Sequence, residues 1–436
     1  MKFSALLGLL PGAALASDVL NFISANSDID YGCRPVVMSA GDEHKLHAVV
    51  SERELHYLKR SLDSSVVRVE TLDNLNKRQT STAPIGKGDR FEGGKKAPRG
   101  LGTRKPNEYA AIQSAGIFNT NEVYTTMKGL EKEYGLELFT APYKTFEGNK
   151  ILGGYIYFTS GIHARERGGP DNLIYFISDL LYANEHRSGL TCGNKTYSNQ
   201  DVKKTLGAGI VFIPMTNPVG VRHDQANSNL WRKNRNPASA RPNEPLSVGV
   251  HLNRNFDFMW NFTRYFDPSV SPASTNASSQ AFYDTGPFSE PETNNMAWIY
   301  DAFPNIRWFI DVHSAAGTLL YFWGDDVDQS HDPKQNLFNP AYDGKRGVVG
   351  DPLYKEFIDQ QDWDNIRIQA NRTNAAMNAT AGRAYVPPQA MYGYTLEFRY
   401  PTNFYPSSEE YVQNIVDTNA GFMEFILTAD EIGLKG

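Results

Sequence analysis

Apolar residues along this chain recur in two rhythms, and the switches between them outline its elements. In PDNLIYFISDLLYANEH (170–186) they return every three or four positions, which is the spacing of one helix face. NEVYTTMKGLEKEYG (121–135) predicts another helix. Between the helical stretches lie apolar, β-branched and aromatic runs: ILGGYIYFTSG (151–161), AGIVFIPMTN (208–217), RWFIDVHS (307–314), TLLYFWG (318–324) and YGYTLEF (392–398). These runs predict strands. Their alternation with helices from about Tyr109 onward predicts an α/β fold, a mixed, largely parallel twisted sheet with helices on both faces. Ser289 with Glu292, and Ser407 with Glu410, fit the capping box and predict two more helix starts.

The N-terminal quarter follows another pattern. Lys2, the apolar run Leu6 to Leu10 and Ala14-Leu15-Ala16 predict an export signal over residues 1–16, cut after Ala16. LHAVV, SERELHYLKRSL and VVRVETL, between Leu46 and Leu72, predict small strands and a short helix. Polar, Gly-rich, basic sequence then runs through Arg104. This arrangement predicts a small pro-segment and linker over 17–104, ahead of a main domain over 105–436. The pair Lys77-Arg78 offers a processing protease its cleavage site, after Arg78.

Composition narrows the function. A net charge of -6 over 436 residues, with no long basic run, argues against nucleic acid as a partner. After the N-terminal segment no stretch is apolar enough to span a bilayer, so no membrane partner is expected. Sequons at Asn194, Asn261, Asn276, Asn371 and Asn378 agree with a secreted, glycosylated chain acting as a monomer. The two cysteines, Cys33 and Cys192, cannot build a Cys-rich metal site, so any metal must be held by His and carboxylates. They either tether the pro-segment through a bridge or leave Cys192 as a buried thiol.

Three strands carry or lead into a potential ligand or base: His163 follows GYIYFTSGI, His313 ends WFIDVH, and Glu397 lies within YTLEF. Ligands of open α/β sheets sit beyond the carboxyl ends of the strands, which predicts one shared pocket. In that pocket, His163 and Glu166 within one tight turn can present a nitrogen and an oxygen to a single cation. Each residue taken singly also has a plainer reading. His163 and Glu166 can form a solvated turn, His313 can be a core histidine, and Glu397 can pair with Arg399 two residues on along its strand.

Seven segments settle between these readings. GIHARE, NPVG, WRKNRN, HLNRNFD, GPFSEPET, FIDVHS and YTLEFR occur in the order found in the carboxypeptidase A family of zinc metallocarboxypeptidases, which the chain resembles from about Tyr109 to its C-terminus. WGDDVDQSHDP further resembles the secreted fungal and bacterial branch. The resemblance implies one Zn²⁺ held by His163, Glu166 and His313, with water at the open position. It implies Glu397 as general base, Arg232 as oxyanion stabiliser, and Asn253 with Arg254 as the grip on a substrate's C-terminal carboxylate. Arg165 would add a cationic contact along the substrate path, and peptides or proteins with a free C-terminus would be the partners.

Two departures stand out. His251 occupies the position where the family usually has an Asp that orients a zinc-ligand histidine, an exchange that weakens metal binding. The loop before Glu397 is shortened, leaving Tyr392, or next Tyr385, as the counterpart of the family's substrate-closing tyrosine. Beside active exopeptidase, these features keep two alternatives in play: a zinc-binding pseudoenzyme, and a zinc amidohydrolase acting on small acylated amino acids. The absence of a Gly-x-Ser-x-Gly turn argues against a serine hydrolase, and Asp325, Asp326 and Asp328 read as an acidic surface loop.

Overall fold

A computed structural model describes residues 82–143, 150–151, 156–314, 316–323, 329–348, 351–381, 386–390, 394–398 and 404–434. It also describes strand segments 2–9, 37–40, 43–51 and 67–71, with Leu55, His56 and Arg60. Lys77-Arg78, Cys33, Tyr385, Tyr392 and the Asp325 to Asp328 loop lie outside the described residues.

The main body is built on six strands: β1 (Ile156–Ser160), β2 (Ile210–Ile213), β3 (Trp308–Ser314), β4 (Thr318–Tyr321), β5 (Val386–Ala390) and β6 (Tyr394–Phe398). They are ordered β2-β1-β3-β6-β4-β5, and only the β4–β6 pair is antiparallel. The expected mixed, largely parallel sheet is therefore present. Every residue of β1, β2 and β6 is buried, as strands covered on both faces require.

Alternation divides the two faces sharply. Ile156, Phe158, Ile310, Val312, Tyr394, Leu396 and Phe398 point into the largest core, with α2 (Gly169–Glu185), α4 (Gln360–Ala381) and α5 (Ser408–Ile432). Phe158 and Phe176 each pack against Phe422, at ring-centroid distances of 5.2 and 5.3 Å, and Tyr394 packs edge-on against Phe425 at 5.2 Å. Such pairs each add about 0.5–1.5 kcal/mol beyond burial of their area. The opposite face meets α3 (Pro291–Ala302) through Tyr157, Val211, Ile213, Met296 and Ile299.

Helix starts follow local chemistry. Ser407 and Glu410 form the expected capping box of α5. An equivalent box, Asn119 with Glu122, starts α1 (Thr120–Tyr134). The box expected from Ser289 and Glu292 does not form. Pro291 takes the first helical position, Glu290 becomes the N-cap, and the Ser289 hydroxyl instead accepts from Asn255 Nδ2 at 2.8 Å.

Residues 82–104, expected to belong to the linker, pack onto this body. Phe91 and Leu101 are buried in the main core, and Asp179 accepts from the Gly102 amide and the Thr103 hydroxyl at 2.7 Å each. Cys192 is a buried free thiol. Nearer the N-terminus, Lys2–Leu9 pairs antiparallel with both Glu43–Ser51 and Val67–Thr71, inside a small four-stranded sheet. The apolar stretch of the expected export signal forms an inner strand of that sheet in the full-length chain.

Asp171, on the first turn of α2, is fully enclosed. One of its carboxylate oxygens accepts from the Phe118 amide at 2.8 Å and the Tyr411 hydroxyl at 2.7 Å. Burial outweighs these bonds and raises its pKa from 3.8 to about 7. A carboxyl raised on folding contributes stability below its unfolded pKa and loses it as pH climbs through the folded value. Asp171→Asn removes that loss. Relative to the parent, the variant should gain stability between about pH 4 and pH 8, by up to roughly 4 kcal/mol. Urea unfolding at several pH values measures this, and a difference that does not vary with pH contradicts it.

Candidate metal centre

The turn after β1 places the first ligand pair. Gly161 adopts φ +65°, which lets the chain leave the strand sharply. The NPVG segment clasps that turn, since the Asn217 amide donates to the Gly161 carbonyl at 3.1 Å and its side chain donates to the Ile162 carbonyl at 3.1 Å. WRKNRN runs alongside, with the Ala164 amide donating to the Arg232 carbonyl, and HLNRNFD is tied to it through Asn234 and Val250. The motifs noted in the sequence therefore form adjoining walls of one site.

His163, Glu166 and His313 converge at its centre, all buried, with their ligand atoms within 4.8 Å of one another. His163 Nδ1 lies 2.7 Å from Glu166 Oε1, while His313 Nδ1 lies 3.0 Å from Glu166 Oε2 and 3.0 Å from His163 Nδ1. Two imidazole nitrogens and a carboxylate closing on one point are the donor set of a catalytic zinc site with an open position, so these residues fit the metal.

The outer nitrogens of both histidines are held as well. His313 Nε2 donates to Asp311 Oδ2 at 2.7 Å, and Asp311 Oδ1 accepts from Thr159 Oγ1 at 2.7 Å. His163 Nε2 faces His251 Nε2 at 3.0 Å, and the same His251 nitrogen accepts from Arg232 Nε at 3.1 Å. A guanidinium N–H only donates, so His251 Nε2 must be an acceptor and its proton sits on Nδ1. His163, with its proton on Nε2 and its Nδ1 lone pair aimed at the centre, then shares the single lone pair of His251 Nε2 with Arg232. His251 thus supplies, uncharged, the acceptor that an Asp would supply as an anion.

Burial pushes the His163 and His251 imidazoles well below their usual 6.5, and the Arg232 charge reinforces it. The neutral form that results is the one that binds a metal. Arg232 itself is buried, with Nη1 3.5 Å from Glu166 Oε1.

Glu397 is buried on β6, where it is the Cα partner of His313 in a parallel pair. Partners in register share a face of the sheet, so the expected base and a ligand stand side by side. Arg254 and Asn253 line a neighbouring cavity of about 450 Å³. Arg254 is braced by the Pro272 and Asn253 carbonyls at 2.6 and 2.7 Å. Arg165 is buried with its guanidinium 4.5 Å from the centre of the Phe404 ring. Asp311 escaped the sequence reading. Its signal was the strand period, which places it two residues before His313 on the same face.

Comparison with known proteins agrees with this geometry. A family model described as zinc carboxypeptidase matches residues 148–421. Carboxypeptidase O of Homo sapiens is 31% identical over 56% of this chain and 65% of its own length. Inactive metallocarboxypeptidase ECM14 of Saccharomyces cerevisiae is 27% identical over 46% of this chain and 44% of its own. The chain thus spans less than two thirds of either curated relative. The crystal structure of carboxypeptidase A from Helicoverpa armigera superposes with a TM-score of 0.61 at 17% identity, covering 98% of both chains, and shares the fold. With its fold, its convergent His163, Glu166 and His313 and the match over most of the main body, the chain belongs to the zinc carboxypeptidase family.

Proposed function

We propose that this chain is a secreted, zinc-dependent metallocarboxypeptidase that hydrolyses the C-terminal peptide bond of peptides and proteins. The observation that carries the reading is the juxtaposition of the buried His163–Glu166–His313 cluster with Glu397, in register opposite His313. One Zn²⁺ held by the three ligands would acidify a bound water and polarise the scissile carbonyl. Glu397 takes a proton from the attacking water and delivers it to the leaving amine. Arg232, fixed beside Glu166, faces the negative charge that develops on the carbonyl oxygen. Arg254 and Asn253 grip the substrate's terminal carboxylate, since a planar guanidinium matches a carboxylate fork. Arg165 extends the cationic path, and Tyr392 closes over the bound substrate.

Four of the five sequon asparagines, Asn194, Asn261, Asn276 and Asn371, are exposed, which supports export and glycosylation. No described helix is long and apolar enough to cross a membrane. The packing of residues 82–104 onto the main body supports a processing cut before Thr82, in keeping with Lys77-Arg78.

His251 at the family's Asp position, together with relatives named inactive, gives one second reading its footing: a zinc-binding pseudoenzyme. Activity separates the two. The processed, zinc-loaded chain should hydrolyse a blocked dipeptide with a free carboxyl end, lose turnover to a chelator and regain it with zinc. Glu397→Gln should lower kcat by about 10²- to 10⁴-fold while leaving bound zinc unchanged. Undiminished turnover in that variant rejects Glu397 as base, whereas a folded, metal-loaded and inactive parent establishes the pseudoenzyme. His251→Ala should weaken zinc binding by ~10- to 100-fold, measured by competition with a chelating dye. Unchanged affinity would remove His251 from the metal's support.

A further inference from the structure

A second buried polar network lies just outside the metal cluster, around Asp224 on the helix Pro218–Asn227. The Asp224 carboxylate is fully enclosed and accepts from three donors. Oδ2 accepts from Arg167 Nε at 2.9 Å, while Oδ1 accepts from the Trp231 amide at 3.0 Å and the Tyr405 hydroxyl at 2.6 Å. Arg167 also donates through Nη2 to the Asp224 carbonyl at 2.8 Å and to the Ser228 hydroxyl at 3.2 Å. Its guanidinium lies 3.6 Å from the centre of the Tyr405 ring, and the Tyr405 hydroxyl accepts in turn from the Leu230 amide at 2.9 Å.

The places of these partners in the chain give the network its reach. Arg167 directly follows the ligand Glu166, Trp231 directly precedes Arg232, and Tyr405 follows the strand that carries Glu397. One carboxylate therefore ties together the turn that presents a ligand, the segment that presents the oxyanion-stabilising cation and the segment beyond β6. The Ala164 amide, bonded to the Arg232 carbonyl at 3.2 Å, joins the first two at another point. Pinned twice, they have little freedom to shift relative to each other.

That matters because Arg232 Nη1 stands 3.5 Å from Glu166 Oε1. A closer approach would pair the guanidinium with the carboxylate and draw a ligand away from the metal. A wider gap would leave the charge that develops on the carbonyl oxygen unmatched. We infer that Asp224 is a positioning residue that, through Arg167 and the Trp231 amide, fixes the spacing of Glu166 and Arg232 and so governs both zinc affinity and turnover. The inference rests on the carboxypeptidase reading and adds to it a residue that touches neither metal nor substrate.

A double-mutant cycle on the full chain, read as zinc affinity by competition with a chelating dye, tests it without requiring activity. Asp224→Asn and Arg167→Met should each weaken zinc binding by about 10-fold, and the double variant should be no weaker than the worse single one, because both changes cut the same tie. Tyr405→Phe keeps the ring beside Arg167 and removes one bond to Asp224, so it gives a folded variant if the others fail to fold; it should weaken zinc binding several-fold. Asp179→Asn is the control, since Asp179 is equally buried but is bonded to Gly102 and Thr103 rather than to a segment of the site. It should lower stability and leave zinc affinity unchanged. At saturating zinc, Asp224→Asn should lower kcat by about 10-fold with KM unchanged, since Arg232 acts in the transition state while Arg254 and Asn253 hold the substrate. Additive losses in the cycle, tighter zinc binding by Arg167→Met, an equal loss in Asp179→Asn, or a raised KM with kcat unchanged would each overturn the inference. Hydrolysis by the parent reports separately on the carboxypeptidase reading: an inactive parent rejects that reading, while the zinc cycle still decides whether Asp224 positions the ligand turn.

Discussion

The two-residue alternation of β3 and β6 is the constraint on which the rest of this structure depends. Ile310 and Val312, with Tyr394, Leu396 and Phe398, enter the apolar core shared with α2 and α5. The residues between them, Asp311, His313, Thr395 and Glu397, face the other way and build the site. A slip of one residue in either strand would drive His313 or Glu397 into hydrocarbon and bring a valine or leucine to the metal cluster. The hydrophobic effect that fixes the register thereby also fixes the chemistry. Rings such as Phe158, Phe422 and Phe425, none of which touches the cluster, hold the ligands in place through the sheet.

Enclosing so many polar groups is costly unless each finds a partner. Here they join in two chains, which leave the buried Nδ1 of His251 without a hydrogen-bond partner among the described residues. One runs from Thr159 through Asp311 to His313, and the other from Arg232 through His251 to His163. Both end by turning an imidazole lone pair toward Glu166. The chains differ in charge, since Asp311 supports His313 as an anion while His251 supports His163 as a neutral acceptor. That asymmetry leaves Arg232 with less negative charge around it than an Asp at position 251 would provide.

The sequence carried much of this. Apolar runs located β1, β2, β3, β4 and β6, because strands covered on both faces show their burial as continuous hydrophobicity. Motif order brought out His163, Glu166, His313, Arg232 and Glu397. Three features were less legible. The start of α3 was misplaced because Ser289 and Glu292 mimic a capping box, while Pro291 fixes the first turn one residue later. Residues 82–104 looked like a linker because their contacts with Asp179 and the main core are long-range, invisible to local composition. Asp311 lay hidden as one acidic residue in an apolar strand, since its role depends on which face it shares.

The central claim is that a single metal ion is held by His163, Glu166 and His313. Anomalous diffraction from zinc-loaded crystals, collected on either side of the zinc absorption edge, tests it directly. The account expects one strong peak at bonding distance from the Nδ1 atoms of His163 and His313 and a carboxylate oxygen of Glu166. A peak elsewhere, or bonds to only one of the two histidines, would contradict it.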